Sequence, residues 1–114
     1  MNKKICVIGA GYWGSNHIRT LSKLNALKGV VEPNNNILKS FLNTYPSIQG
    51  HSNIEDALIE DYDGFTIATP AKTHFEIAKI IMNAQKHLLI EKPMTLSIEE
   101  ARELVALSEI NKVN

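Results

Sequence analysis

The feature that most constrains the fold of this chain is a glycine loop between a short apolar run and an amphipathic segment. Gly9, Gly11 and Gly14 form the pattern Gly-x-Gly-x-x-Gly in "GAGYWG", directly after "KICVIG" and directly before "SNHIRTLSKL". Such a pattern alone is weak, but between a strand and a helix it has the setting that a dinucleotide-binding fingerprint requires. There the first glycine permits the tight turn, the second lets the backbone approach a pyrophosphate, and the third lets helix and strand pack closely. The sequence therefore predicts a dinucleotide-binding βαβ unit.

Apolar runs alternate with amphipathic segments along the whole chain, as is typical of an α/β protein. We predict strands at residues 5–8, 29–32, 48–49, 65–68 and 88–90, and helices at about 15–27, 37–45, 54–58, 73–85 and 98–107. The fold class predicted is α/β, a Rossmann-type doubly wound parallel sheet of about five strands in the order 3-2-1-4-5.

The starts and inner faces of the last two helices follow from local patterns. Thr73 with Glu76, and Ser97 with Glu100, have the spacing of capping boxes. The residues predicted to face inward from the last helix are Ile98, Ala101, Leu104, Val105 and Leu107.

Composition limits the classes of protein and partner. The 114 residues, 44% hydrophobic and 21% charged, fit one domain with a real core, so we assign residues 1–114 to a single dinucleotide-binding domain. Twelve basic residues balance twelve acidic ones, which argues against nucleic-acid or membrane partners. The only cysteine, Cys6, lies in an apolar run and indicates a buried thiol and a cytoplasmic location. The histidines lack metal-site spacing, and no window approaches the roughly 20 apolar residues of a membrane span.

The C-terminal side of the predicted sheet is incomplete. Val113 and Asn114 lie where a sixth strand would begin, so the fifth strand is expected to leave an exposed apolar edge. Proteins usually cover or pair such an edge. Two interpretations follow: a partner covers it, which includes a homo-oligomer formed through the edge, or the chain is a fragment.

Glu32 is the candidate ligand of the adenosine ribose. It ends the predicted second strand and follows Gly14 by close to the roughly 20 residues expected for a ribose-binding carboxylate. Its charge would repel a 2′-phosphate, and Pro33 and Asn34 follow it without a lysine or arginine, so we predict NAD rather than NADP as the cofactor. The alternative is that Glu32 is only a solvated turn residue.

Tyr12 and Trp13 occupy the two positions before the last glycine of the loop. The backbone amides there serve the phosphates, so the side chains are free to point away from the glycines. In one interpretation Trp13 borders the nicotinamide or the substrate in the cleft above the sheet. In the other, Tyr12 and Trp13 pack against neighbouring loops.

Three motifs in order, "GAGYWGSNHIR", "IATPAKTHFEIA" and "LLIEKPMTLSIEEA", resemble the Gfo/Idh/MocA family, the relatives of glucose-fructose oxidoreductase and inositol dehydrogenase. The Glu-Lys-Pro triplet after the fifth strand is the most specific of them. The resemblance covers essentially the whole chain but only the amino-terminal third or so of a typical member. Within the family, "GYWG" followed by "N" is most similar to sugar-nucleotide oxidoreductases such as UDP-N-acetylhexosamine 3-dehydrogenases.

The resemblance implies a domain that presents NAD(P) for hydride transfer to or from a secondary alcohol carbon of a sugar or polyol. Lys92 matches the active-site lysine of the triplet, which touches substrate and nicotinamide ribose, and Glu91 matches its first residue. Thr69, Pro70 and His74 match the loop that lies along the cofactor, although His74 is equally placed to complete a cap or pack against Pro70. Lys92 also fits the chemistry, because alcohol oxidation needs a base or a cation at the developing alkoxide.

The second domain of the family, with its usual Asp-x-x-x-His acid/base pattern, has no counterpart in these 114 residues. We therefore expect the chain alone to bind dinucleotide without meaningful turnover. Two alternatives are a stand-alone nucleotide-binding module that acts by self-association or partner binding, and a Rossmann-like domain for another adenine ligand such as S-adenosylmethionine. The Glu-Lys-Pro triplet argues against the latter.

Overall fold

The computed structural model describes residues 2–114 and contains a five-stranded sheet in the order β3-β2-β1-β4-β5, with every neighbouring pair parallel. The strands are β1 Ile5–Ile8, β2 Leu27–Val31, β3 Gln49–His51, β4 Gly64–Ile67 and β5 His87–Ile90. The helices are α1 Tyr12–Lys23, α2 Asn35–Thr44, α3 Ile54–Leu58, α4 His74–Asn83 and α5 Ile98–Asn111, and a 3-10 turn, Ala71–Thr73, precedes α4. The predicted fold class and strand order are confirmed.

Two apolar clusters cover the two faces of the sheet, as the doubly wound fold requires. Successive strand residues point to opposite faces, so Val7 of β1 packs with Ile18 of α1 on one face, whereas Cys6 packs with Ile81 of α4 and Leu104 of α5 on the other. Burial of Cys6 raises the pKa of its thiol to about 12. Cys6 is therefore an inert core residue, as predicted.

Three helices are followed, within two residues of their ends, by a non-glycine residue in the left-handed conformation: Asn25, Gln85 and Lys112. After α1, the amide of Asn25 bonds to the Ser22 carbonyl at 3.0 Å and the amide of Ala26 to the Leu21 carbonyl at 2.9 Å. This paired pattern is a Schellman motif, which terminates a helix. The first helix therefore ends at Lys23 rather than near residue 27, and Leu27 begins β2 instead.

The two predicted capping boxes have different outcomes. The Ser97 hydroxyl accepts the Glu100 amide at 3.1 Å, as predicted. The prediction for Thr73 is wrong, because its hydroxyl donates to the Pro70 carbonyl at 2.6 Å and caps nothing. The intervening 3-10 turn directs this side chain back toward its own loop.

The last helix buries a narrower face than its pattern predicted. Leu104 is fully buried, but Ile98 and Val105 are 65% and 52% exposed. Val105 lines an open groove between α5 and β5, because α5 packs against α4 rather than across the edge strand. The inward orientation predicted for Ile98 and Val105 is thus corrected.

The edge strand β5 is partly open. Leu89 is 55% exposed, whereas the Leu88 amide donates to the Asn114 carbonyl at 2.9 Å. Residue 114 therefore runs beside β5, where a sixth strand would lie. Within the described residues, none of the helices has the length and apolar character that crossing a bilayer requires.

Candidate dinucleotide-binding site

The glycine loop joins the carboxyl end of β1 to α1. Gly9 has a φ of 96°, and a Cβ there would lie 2.9 Å from the Ala68 carbonyl oxygen. A Cβ at Gly14 would collide with the Gly9 carbonyl. A Cβ at Gly11 would meet nothing within 4 Å. The first and third glycines are therefore required by packing of the chain itself, whereas the second faces open space where a phosphate can approach.

The first turn of α1 faces the same space. The helix begins at Tyr12, three residues earlier than predicted, with Gly11 as its N-cap and no side-chain cap. The amides of the first turn have no intrahelical acceptor. Together with the positive end of the helix dipole they form an anion-binding position, so the loop fits a pyrophosphate.

The Glu32 carboxylate lies beside this loop at the end of β2. It is only 9% exposed, and its Oε1 accepts the Ala10 amide while Oε2 accepts the Asn34 amide, each at 2.9 Å. The interpretation of Glu32 as a solvated turn residue is therefore wrong. Because each carboxylate oxygen accepts more than one hydrogen bond, the group retains capacity for ligand hydroxyls.

Tyr12 and Trp13 project from the first turn of α1 and are 73% and 56% exposed. Their rings contact each other edge-on at a centroid distance of 5.5 Å. Neither belongs to the two apolar clusters. The structure thus leaves both rings available at the mouth of the loop instead of packing them into neighbouring segments.

The loop after β4 lies against the glycine loop on the side opposite Glu32. The Thr69 methyl group lies 3.0 Å from the position of a Cβ at Gly9. The hydroxyls of Thr69 and Thr73 are 2.6 Å apart, and Thr73 donates to the Pro70 carbonyl. Thr69 and Pro70 therefore form an ordered wall next to the first glycine.

His74 is the predicted site residue whose placement is least like a ligand contact. It is 1% exposed, with Nδ1 2.8 Å from the Pro93 carbonyl oxygen and Nε2 2.8 Å from the Thr69 carbonyl oxygen. Each ring nitrogen thus faces a backbone carbonyl oxygen. His74 joins the loop after β4 to the segment after β5, and its imidazole does not face the open crevice.

The lysine segment, residues 91–93, follows β5. The Glu91 amide continues the ladder to the Ile67 carbonyl at 2.9 Å, and the Lys92 side chain is exposed beyond it. Oε1 of Glu91 lies 2.6 Å from Nε2 of His17 on α1, and Oε2 accepts the Lys92 amide at 3.1 Å. The hydrogen bond from His17, aided by the Lys92 amide and charge, holds the pKa of Glu91 below its usual value against partial desolvation.

His17 was missed as a site residue at the sequence level. It lies within the motif "GAGYWGSNHIR", but its partner Glu91 is 74 residues away, so no local spacing predicts their contact. Among residues 2–114, no group of three or more His, Cys, Asp or Glu side chains is placed to hold a metal ion.

Residues 3–114 match the Gfo/Idh/MocA family profile, described as an oxidoreductase family with an NAD-binding Rossmann fold. The chain is 34% identical over 108 residues to UDP-N-acetylglucosamine 3-dehydrogenase from Acidithiobacillus ferrooxidans, covering 90% of this chain and 32% of the relative. It is 40% identical over 101 residues to glucose-6-phosphate 3-dehydrogenase from Bacillus subtilis, covering 87% of this chain and 28% of the relative. The chain thus spans about a third of the length of these relatives.

Solved structures agree with this assignment. GenD2 from gentamicin A biosynthesis, crystallised with NAD, matches with a TM-score of 0.92 and 27% identity over 98% of this chain and 33% of that one. The A. ferrooxidans UDP-N-acetylglucosamine 3-dehydrogenase GnnA matches with a TM-score of 0.91 and 30% identity over 99% of this chain and 36% of that one. The fold, the glycine loop and these comparisons together show that the chain belongs to the Gfo/Idh/MocA family of NAD-binding, Rossmann-fold oxidoreductases.

Proposed function

We propose that residues 1–114 form the NAD-binding part of a dehydrogenase acting on a secondary alcohol of a sugar, sugar nucleotide or polyol. The observation that carries this proposal is the arrangement around the glycine loop, with a buried carboxylate on the β2 side and an exposed lysine on the β5 side. In a sheet ordered 3-2-1-4-5, the strand order reverses between β1 and β4, and ligands of open α/β sheets bind in the crevice at that point. A dinucleotide laid across it extends from Glu32 toward Lys92.

The adenosine half is assigned to the β2 side. The Glu32 carboxylate, already oriented by the Ala10 and Asn34 amides, accepts hydrogen bonds from the ribose hydroxyls. A 2′-phosphate at the same place would meet a negative charge with no adjacent cation, since Pro33 and the asparagines follow Glu32. This side of the site therefore favours NAD over NADP.

The nicotinamide half is assigned to the side lined by the loop after β4 and by the lysine segment. NAD held here would supply the acceptor for the hydride of the carbinol carbon. The alcohol must also lose its hydroxyl proton, and we assign to Lys92, which follows β5, the role of accepting it or of stabilising the alkoxide. Thr69 and Pro70 form the wall of this half, and Glu91 orients the lysine segment. The exposed Trp13 ring borders the crevice.

The class of substrate rests on the relatives, two of which are named for oxidation at position 3 of UDP-N-acetylglucosamine and of glucose 6-phosphate. This chain covers only about a third of the length of each relative. We therefore propose that the 114-residue chain by itself binds NADH and does not turn over sugars. Its buried, solitary Cys6 suits the reducing cytoplasm.

A second candidate function is a nucleotide-binding module that acts by association with a copy of itself or with another protein. The exposed Leu89 on the edge strand and the exposed Leu96, Ile98 and Val105 favour it, because proteins usually cover such surfaces. Sedimentation separates the two proposals. A dimer that persists on dilution and binds no dinucleotide supports association alone.

The test of the principal proposal is a titration of the 114-residue chain with NADH and then NADPH, following Trp13 fluorescence and energy transfer to the nicotinamide. We expect saturable quenching that is stronger for NADH. Glu32→Gln should reduce the difference in affinity between NADH and NADPH. Glu109→Gln, on the exposed face of α5, should leave that difference unchanged. Absence of quenching by either cofactor, on a chain shown to be folded, contradicts NAD binding and leaves the association function.

A further inference from the structure

The Glu91 carboxylate binds two partners from different parts of the chain. Its Oε1 lies 2.6 Å from Nε2 of His17, and its Oε2 accepts the Lys92 amide at 3.1 Å. His17 belongs to α1, the helix whose first turn forms the anion-binding position, and it is 74 residues from Glu91. One carboxylate thus connects the helix of the glycine loop to the backbone of the lysine segment.

This pair is not part of the apolar core. The side chains of His17 and Glu91 are 26% and 22% exposed, and both lie at the end of the sheet that carries the crevice. A partly exposed charged hydrogen bond of this kind contributes little to global stability, because solvent screens it and side-chain entropy opposes it. Its principal effect is therefore on the local geometry of residues 91–93.

The opposite end of the lysine segment is held independently. The buried His74 ring lies 2.8 Å from the Pro93 carbonyl oxygen and 2.8 Å from the Thr69 carbonyl oxygen, which attaches Pro93 to the loop after β4. With Pro93 held by His74, the freedom that remains to Lys92 depends on Glu91. Without His17, the Glu91 side chain would regain rotamer freedom and the Lys92 amide would lose its fixed acceptor.

We propose that His17 is a positioning residue, which acts through Glu91 to fix Lys92 relative to the glycine loop and so to the nicotinamide half of the site. This inference rests on the proposed function in one respect, the place of the nicotinamide. The hydrogen-bond chain from His17 through Glu91 to the Lys92 amide is a property of the protein without ligand. The positioning role of His17 can therefore be measured without ligand, whereas the proposed function is measured by dinucleotide binding.

The experiment compares three variants of the 114-residue chain. His17→Leu removes the hydrogen-bonding group, and His17→Gln retains an N–H that reaches the Glu91 carboxylate. His87→Leu is the matched control, because it makes the same change at the opposite end of β5. For each variant, NMR hydrogen exchange reports the protection of the Lys92 amide, calorimetry gives the Kd for NADH and for ADP, and thermal unfolding gives Tm.

For His17→Leu we expect Lys92 amide exchange to accelerate about tenfold and the Kd for NADH to rise about tenfold, the size of effect that loss of one charged hydrogen bond produces. The Kd for ADP, which carries only the adenosine and phosphate groups, should stay within about twofold, because those groups contact the other half of the site. His17→Gln should restore both values, and His87→Leu should change neither.

Three results would overturn the inference: unchanged protection of the Lys92 amide in His17→Leu, equal losses of NADH and ADP binding together with a lowered Tm, or failure of His17→Gln to rescue. If the wild-type chain binds neither NADH nor ADP, the proposed function fails. Amide exchange then decides the positioning role on its own, with faster exchange in His17→Leu and rescue in His17→Gln supporting it.

Discussion

Replacing Gly11 with alanine is expected to weaken dinucleotide binding while leaving the fold intact. A Cβ at this position meets nothing within 4 Å, and the backbone, at φ −78° and ψ −155°, is extended. Alanine is a poorer N-cap than glycine but lowers the entropy of the unfolded chain, and these opposing effects keep the change in unfolding free energy below about 1 kcal/mol. The melting temperature should therefore shift by only a few degrees.

The effect on binding is larger, because the added methyl group stands where the pyrophosphate approaches the backbone. Inserting a methyl group into a close contact costs about 1–3 kcal/mol. That cost corresponds to an increase of about 5-fold to 150-fold in the Kd for NADH. Calorimetric titration measures the Kd, and thermal unfolding followed by circular dichroism shows that the variant is folded.

Gly9→Ala is the contrasting variant, because its Cβ would lie 2.9 Å from the Ala68 carbonyl oxygen at a φ of 96°. The strained backbone and the close contact together are expected to lower the free energy of unfolding by about 2–4 kcal/mol. Gly9→Ala should thus lose both stability and NADH affinity, whereas Gly11→Ala should lose NADH affinity and keep its stability. A folded Gly11→Ala chain with wild-type NADH affinity would refute the reasoning, since the phosphates would then lie elsewhere.

Two further predictions concern protonation and capping. The pKa of Glu91 is lowered chiefly by the His17 hydrogen bond and should rise in His17→Leu. The stability that this pair contributes is present above the ordinary pKa of 4.5, and it is lost as the pH falls through the lowered pKa. NMR titration of the Glu91 carboxyl carbon tests this, and a wild-type midpoint at or above 4.5 contradicts it. Ser97→Ala should lower the free energy of unfolding by about 1 kcal/mol, because the hydroxyl caps the Glu100 amide, whereas Ser97→Asp should retain the cap. Urea denaturation measures the free energy of unfolding of both variants, and an equal decrease in Ser97→Ala and Ser97→Asp would argue against capping.

The strand order and most elements were predictable because they depend on local patterns of apolar residues and on the handedness of βαβ connections. The C-terminal ends of α1, α4 and α5 were not, although both ends of α3 agree with the prediction. Asn25, Gln85 and Lys112 terminate helices in the left-handed conformation, which selects glycine and, less often, asparagine, so Gln85 and Lys112 gave no stop signal and Asn25 gave only a weak one. Thr73 had the spacing of a capping residue but bonds to Pro70 instead, because a 3-10 turn precedes the helix.

In the site, too, some features follow from local sequence and others depend on the tertiary structure. The glycine loop and the position of Glu32 were readable from the sequence, because a strand, a turn and a helix only a few residues apart determine them. The burial of Glu32 against the Ala10 amide, the placement of His74 between the Thr69 and Pro93 carbonyls, and the contact of His17 with Glu91 were decided only by the tertiary structure. The physical reason is that a parallel sheet brings the carboxyl ends of distant strands to one edge. There, residues far apart in the chain meet in contacts that no local spacing encodes.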